Sequence, residues 1–206
     1  MLQGSIRELQ LPFPGKVIRQ DTLAQGVSLA SALLYEAAIQ HLADLPSSVA
    51  DFGCGCGIVS IMCALARPRW QIQGIDIQEN LIELARSNAA ACKLDIRFLH
   101  QDIRKHENAY DLILANPPWQ KKGGGLLSPH QSKNLSRVEI SCNMQDLLTS
   151  FERCLKPGGC AIVIYPESRL ADLINALANT SLDIVSHHPH FGKKTYFTAK
   201  LKIGNR

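Results

Sequence analysis

At 206 residues the chain is long enough for one well-buried domain and too short for two sizeable ones. Hydrophobic residues make up 46% and charged residues 19%, and the longest apolar stretch, Ile58 to Ala66, is interrupted by Ser60 and is far too short for a membrane span. The net charge of +4 is too mild to name a polyanionic partner, but it is unevenly spread: residues before Asn116 hold ten Lys/Arg against twelve Asp/Glu, and the remainder holds twelve against six.

In chain order, Met1 to Gln25 shows no strand–helix rhythm and carries Pro12, Pro14 and Gly15. It also lacks the basic start and apolar core of an export signal, so residues 1–27 read as an arm ahead of a domain spanning 28–206. A helix is predicted over Ser28–Leu42, with Leu29, Leu33, Ala37 and Leu42 on one stripe. Short apolar strands follow at Val49–Phe52, Ile72–Ile75, Ile96–Leu99, Leu112–Ala115 and Ala161–Tyr165. Helical patterns sit between most of them, at Ile58–Ala66, Glu79–Ala91, Met144–Leu155 and Glu167–Ala178. That alternation implies right-handed crossovers and a doubly wound α/β fold whose parallel sheet is covered on both faces. Leu182–Val185 and Thr195–Ile203 are too close together to enclose a helix, so they should end the sheet as an antiparallel hairpin, giving seven strands. Gln120 to Asn143 breaks the rhythm, and a connection of that length in an α/β domain is usually a functional loop.

Asp51-Phe52-Gly53-Cys54-Gly55-Cys56-Gly57 follows one strand and opens a helix. Glycines there let the backbone turn tightly against a ligand at the carboxyl end of the strand. A dinucleotide fingerprint needs a glycine where Ile58 stands, which disfavours NAD. Seven cysteines at no framework spacing read as the reduced thiols of a cytoplasmic protein. Cys54 and Cys56, one residue apart, do not match paired zinc-ligand spacing and read as small residues in a crowded turn. His187-His188-Pro189-His190 reads as a turn or surface, so no metal is expected. Asp76 ends the next strand, where an acid can accept hydrogen bonds from both hydroxyls of a ribose. Asp102 ends the strand after it, placed either to accept from an adenine amino group or to cap a helix. Ile77 and Ile103, the next residues, join the same candidate site.

Asn116-Pro117-Pro118-Trp119 lies at the carboxyl end of the fourth strand. A conjugated NH2 group is planar and its lone pair is delocalised, so it attacks a methyl group poorly. The Asn116 side-chain carbonyl and the Pro117 backbone carbonyl can accept its two protons, which favours a pyramidal nitrogen with a directed lone pair. Pro118 flanks this position, and Trp119 offers a flat face for a base.

The D-x-G-x-G-x-G run resembles the first motif of class I methyltransferases, and Asn-Pro-Pro-Trp resembles the catalytic motif of their amino-methylating members. Leu155-Lys156-Pro157-Gly158-Gly159 stands before the fifth strand in the same order. The resemblance implies a Rossmann-like domain that binds S-adenosylmethionine (AdoMet). Its cofactor residues would be Gln25, Asp51, Gly53, Gly55, Gly57, Asp76, Ile77, Asp102, Ile103 and Asn116, and its catalytic residues Asn116, Pro117 and Trp119.

More narrowly, the chain resembles the bacterial family that N6-methylates the adenosine 3′ of the anticodon in a valine tRNA. The likeness rests on Gln25-Gly26-Val27, Ser128-Pro129 through Glu139, Pro166 to Leu170, and His188-Pro189 with Gly192-Lys193. It departs from that family at Trp119, at Ser31 and at Val138. The resemblance implies an RNA partner, expected to be tRNA, held by Pro118, Trp119, Lys121, Lys122, Lys133, Arg137 and the basic segment Lys193 to Arg206. Protein glutamine N5-methylation needs the same amide geometry, but that family carries a larger helical domain before the glycine turn, and here fifty residues precede Asp51. Methylation of a ribosomal RNA base and a non-catalytic scaffold of the same fold are the other readings.

Overall fold

The computed structural model describes residues 6–21, 28–41, 47–119, 142–192 and 195–204. Helix α1 is Leu29–His41, one residue inside its predicted start. The next units are β3 Ser48–Phe52, α2 Ile58–Ala66, β4 Gln71–Asp76, α3 Glu79–Ala91 and β5 Arg97–His100. Then come β6 Tyr110–Ala115, α4 Met144–Cys154 and β7 Leu155–Pro166. A 3₁₀ turn at Glu167–Arg169 precedes α5, Leu170–Leu177, so the single helix predicted there is split in two. The chain then forms β8 Leu182–His190 and β9 Tyr196–Ile203.

The order across the sheet is β5-β4-β3-β6-β7-β9-β8, parallel from β5 to β7 and antiparallel at β9 and β8. Strand alternation sorts the side chains onto two faces. Val49, Leu112, Leu114 and Ile162 belong to the core under α1, α2 and α3. Ala50, Phe52, Ile113, Ala115 and Val163 belong to the core under α4 and α5. The doubly wound class and the closing hairpin are as the sequence implies. The histidine cluster 187–190, read as a turn or surface, forms no turn but continues β8 opposite β9, with His188 and Pro189 exposed at the surface.

The arm is more ordered than its sequence suggests. β1 Ile6–Gln10 pairs antiparallel with β2 Val17–Asp21, and Leu11 and Ile18 are buried. Most β1 side chains face solvent, so its alternation carries no apolar signal. A long-range latch fixes the hairpin instead. The Asn88 amide on α3 accepts from the Arg19 amide at 2.7 Å and donates to the carbonyls of Arg19 (2.8 Å) and Cys56 (2.9 Å). One buried side chain thus ties the hairpin to the glycine turn. Replacing Asn88 by Ala leaves these backbone groups without a partner and should cost about 2–3 kcal/mol. Denaturant unfolding measures the loss, and hydrogen exchange at the Arg19 amide should accelerate selectively.

Candidate active site

β3 and β4 end side by side, with Asp51 opposite Gly74 and Phe52 opposite Ile75. Beyond them the chain turns through Gly53, Gly55 and Gly57, all at positive φ (75°, 55° and 83°), where a side chain would be strained. Gly53 and Gly55 have open space where a Cβ would stand, on the side of the cleft, whereas a Cβ on Gly57 would come within 2.9 Å of the Phe98 ring. Gly53 and Gly55 therefore leave room for a ligand. Gly57 does not line the cleft, and its missing side chain makes room for Phe98. Cys54 is buried in this turn, consistent with a small packing residue, and no metal-binding cluster occurs among the described residues.

The Asp76 carboxylate accepts from the Gly55 amide and from the Gln78 amide, each at 2.9 Å. Burial pushes its carboxyl up from the ordinary range, opposed by those backbone donors. Asp51 lies deeper. One of its oxygens accepts from the Ser60 hydroxyl at 2.7 Å and the Ser60 amide at 3.2 Å, and burial pushes it up to about 6. Asp102 caps the 3₁₀ turn Ile103–Lys105 through the Arg104 amide, and its two oxygens pair with the Arg104 guanidinium. That pairing holds its carboxyl below the usual range. The capping reading of Asp102 therefore holds for this turn, and the same residue also lines the cleft.

Asn116 follows β6 across the cleft from the glycine turn. Its Nδ2 donates to the Ser31 hydroxyl of α1 at 3.5 Å, a weak contact that turns Oδ1 the other way. Asn116 Oδ1 is buried and has no hydrogen-bond partner among the described residues. Pro117, Pro118, Ile77 and Ile103 line the same cleft. Trp119 stands beside it: its ring packs on Tyr196 at 5.1 Å, tilted by 52°, rather than presenting a free face to the cleft. The Trp119 carbonyl accepts from the Arg169 guanidinium, which also pairs with Asp172 at 2.7 Å and lies over the Tyr165 ring. Arg169 thereby pins the end of the Asn-Pro-Pro-Trp segment to the start of α5.

The sequence model of the methyltransferase small domain matches residues 24–191, most of the chain. The chain belongs to this family. Among curated relatives, the tRNA1(Val) (adenine(37)-N6)-methyltransferase of Porphyromonas gingivalis is 31% identical over 138 residues, covering 63% of this chain and 53% of the relative. The release factor glutamine methyltransferase of Enterococcus faecalis is 33% identical over 90 residues, covering 42% of this chain and 32% of the relative. The crystal structure of TrmN from Thermus thermophilus superposes with a TM-score of 0.65 at 25% identity, over 88% of this chain and 51% of that one. The chain thus spans about half the length of the first of these relatives and about a third of the second.

In this methyltransferase small domain, the cleft gathers Asp51, Gly53, Gly55, Asp76, Ile77, Asp102, Ile103, Asn116, Pro117 and Pro118 as the sequence proposed. Gln25, Lys121, Lys122, Lys133 and Arg137 lie outside the described residues. Sequence reasoning missed Gln20, Asp21, Ser31, Gln78, Gln101, Leu147 and Tyr165 as lining residues. Tyr165 was within reach, because it ends a parallel strand at the ligand-binding edge of the sheet. Gln20 and Asp21 arrive with the hairpin, which had no readable signal.

Asp51 makes a pH dependence testable. Its pKa is raised from 3.8 to about 6 on folding, so the folded state holds the proton more tightly than the unfolded one. Its contribution to stability is therefore greatest below about pH 4 and falls as pH rises to about 6, by roughly 3 kcal/mol at 1.36 per unit. Asp51→Asn should remove this decline. Denaturation of both proteins between pH 4 and 7 compares them, and parallel stability curves would assign the carboxyl an ordinary pKa.

Proposed function

We propose that the chain is an AdoMet-dependent N-methyltransferase acting on the exocyclic amino group of an RNA base, namely adenine N6 in a tRNA anticodon loop. The observation that carries this reading is Asn116 Oδ1, a buried acceptor with no partner among the described residues, in the same cleft as the glycine turn and Asp76. An unpaired buried carbonyl is costly unless a ligand completes it. An NH2 group supplies the donor that is missing.

The residues present fit AdoMet. Gly53 and Gly55 offer open backbone, Asp76 is a buried carboxylate held by two amides, and Ile77 and Ile103 supply apolar surface for a nucleoside. When bound, AdoMet supplies an electrophilic methyl group that needs no further activation. Asp76 would hold the ribose hydroxyls on its remaining lone pairs. Asp102 would meet the adenine edge while Arg104 keeps it ionised. Asp51 supports the turn from beneath through Ser60.

The chain's part in the chemistry is positioning and polarisation. Ser31 holds the Asn116 amide so that its carbonyl, not its NH2, faces the cleft. Asn116 Oδ1 and the Pro117 carbonyl take hydrogen bonds from the two amino protons, which localises the nitrogen lone pair. Leu147, Tyr165 and Pro118 exclude water around the site. Trp119 braces the segment against Tyr196 beside the cleft. A base inside a folded loop must leave its stack to reach this position.

Relatives named for adenine-N6 methylation of a valine tRNA support adenine as the target. A second reading, glutamine N5-methylation, is favoured by the release factor relative, because an amide NH2 makes the same two hydrogen bonds. Methyl transfer from tritiated AdoMet to total tRNA, ribosomal RNA and release factor protein separates the two. Label in tRNA, at N6-methyladenosine on nucleoside analysis, is expected; label only in protein would install the second reading.

Two substitutions test the roles within the cleft. Asp76→Ala should weaken AdoMet binding about 10- to 100-fold, as loss of charge-assisted hydrogen bonds predicts, and calorimetric titration reads it directly. Asn116→Ala should leave AdoMet bound but slow single-turnover methylation by about 10²–10³, by analogy with loss of one transition-state hydrogen bond. A wild-type single-turnover rate would remove Asn116 from the chemistry.

A further inference from the structure

Asn116 to Trp119 form neither strand nor helix, and the last pair between β6 and β7 is Ala115 with Val163. Pro117 and Pro118 have no amide hydrogen, so a continued ladder of backbone bonds cannot hold this segment. Side chains have to fix it instead. At one end Ser31 touches the Asn116 amide, at a weak 3.5 Å. At the other stands Arg169, a buried residue that closes the 3₁₀ turn after β7. Its guanidinium meets three groups at once. Nη1 donates to the Trp119 carbonyl, Nε donates to Asp172 at 2.7 Å, and Cζ lies 5.6 Å from the centre of the Tyr165 ring. Tyr165 lines the cleft together with Asn116 and Pro117. One side chain therefore joins the wall at the end of β7 to the end of the segment that follows β6.

We infer that Arg169 is a positioning residue for methyl transfer: by holding the Trp119 carbonyl beside Tyr165, it fixes where Asn116 Oδ1 and the Pro117 carbonyl stand. The inference rests on the reading of Asn116 given above and deepens it. A hydrogen bond from a charged donor is directional and roughly twice as strong as a neutral one, so it sets where the carbonyl points. The packing of Trp119 on Tyr196 is a ring contact and gives no such direction to the backbone. Prolines have a fixed φ, so a shift at Trp119 is carried back along a stiff segment to the Pro117 carbonyl. Two acceptors that must meet two protons of one nitrogen tolerate little displacement. Asp172 compensates the buried charge and holds the guanidinium in place. A lysine could still pair with Asp172, but its ammonium lacks the planar fork that meets a carbonyl, a carboxylate and an aromatic face together. Arg169 does not itself line the cleft, so its effect passes through the segment it holds.

The test uses the full chain with AdoMet and whichever substrate, tRNA or release factor protein, the wild type labels. Arg169→Met removes all the donors, and Arg169→Lys keeps the charge beside Asp172, so the second carries the test if the first does not fold. Arg169→Lys should bind AdoMet with unchanged affinity by calorimetry, yet slow single-turnover methylation about 10- to 100-fold, the scale of a small misplacement at the reacting centre. Because Arg169 acts through the segment, Arg169→Lys combined with Asn116→Ala should be no slower than Asn116→Ala alone. A merely structural role would lower the melting temperature but would not produce that non-additivity. If the two losses multiply in the double variant, or if AdoMet affinity falls as far as the rate, Arg169 supports the fold and the inference is overturned. A slow Asn116→Ala beside an Arg169→Lys variant at the wild-type rate sinks the role of Arg169 and leaves that of Asn116 standing. An Asn116→Ala variant at the wild-type rate, or a wild type that labels neither substrate, removes the reading beneath the inference and the inference with it.

Discussion

The buried carboxylate of Asp76 is the interaction on which the site depends. One oxygen takes the amide of Gly55 and the other the amide of Gln78, so a single side chain binds the glycine turn of one β–α unit to the start of the next helix. The amides of Gly53 and Cys54 donate to the Ile75 carbonyl, tying the turn to the end of β4, and Asp76 carries that tie on to the start of α3. The turn can approach so closely only because Gly74 and Gly57 lack side chains, for a Cβ on either would meet the Phe98 ring within 3 Å. Charge, backbone freedom and packing thus solve one problem together: they set a concave, donor-rich surface at the carboxyl edge of the sheet. The same carboxylate then faces the cleft, where its remaining lone pairs are available.

The opposite wall is built on a different principle. Asn116, Pro117 and Pro118 form a rigid segment held from both ends, by Ser31 on α1 and by Arg169 before α5. These two residues come from opposite faces of the sheet, the first from the layer of α1 to α3 and the second from the layer of α4 and α5. This segment is therefore sensitive to the packing of both layers although it touches only the sheet edge. Trp119 shows the cost of reading a residue in isolation. An indole after Asn-Pro-Pro suggests an open stacking face, yet its ring is occupied by Tyr196, a residue far away in the chain.

Much of this was legible in the sequence, for identifiable reasons. Strands such as Leu112–Ala115 are apolar throughout because both faces are covered, and α2 and α3 are bounded by turns whose composition is unmistakable. Asp51, Asp76, Asp102 and Asn116 could be placed because each ends a strand, and strand ends in such sheets face the ligand. The β1–β2 hairpin was not legible. Its outward side chains are polar, and its order comes from Asn88, a residue that reads as an ordinary helix surface until the Arg19 and Cys56 backbone meets it. The strand that carries the β8 histidines was hidden for a related reason, although His188 and Pro189 are at the surface as their composition suggests. Polar side chains with a proline suggest a turn, but an edge strand with one unroofed face tolerates both. Gln20, Asp21 and Ser31 escaped notice because nothing local marks a residue that reaches a site through another element.

The strand order also has a kinetic consequence. β1 with β2, and β8 with β9, pair across short connections, and hairpins of this kind close in about 1–10 microseconds. β3 lies at the centre of the sheet between β4 and β6, and its pairing with β6 joins Val49 to Leu112 across two complete β–α units. That closure is entropically costly before any contact rewards it, which makes it the slow step in assembling a parallel sheet. The two walls of the cleft are carried by the loops that follow β3 and β6. The pocket therefore comes into existence at the slowest pairing event, and a chain that has folded everything else still has no site.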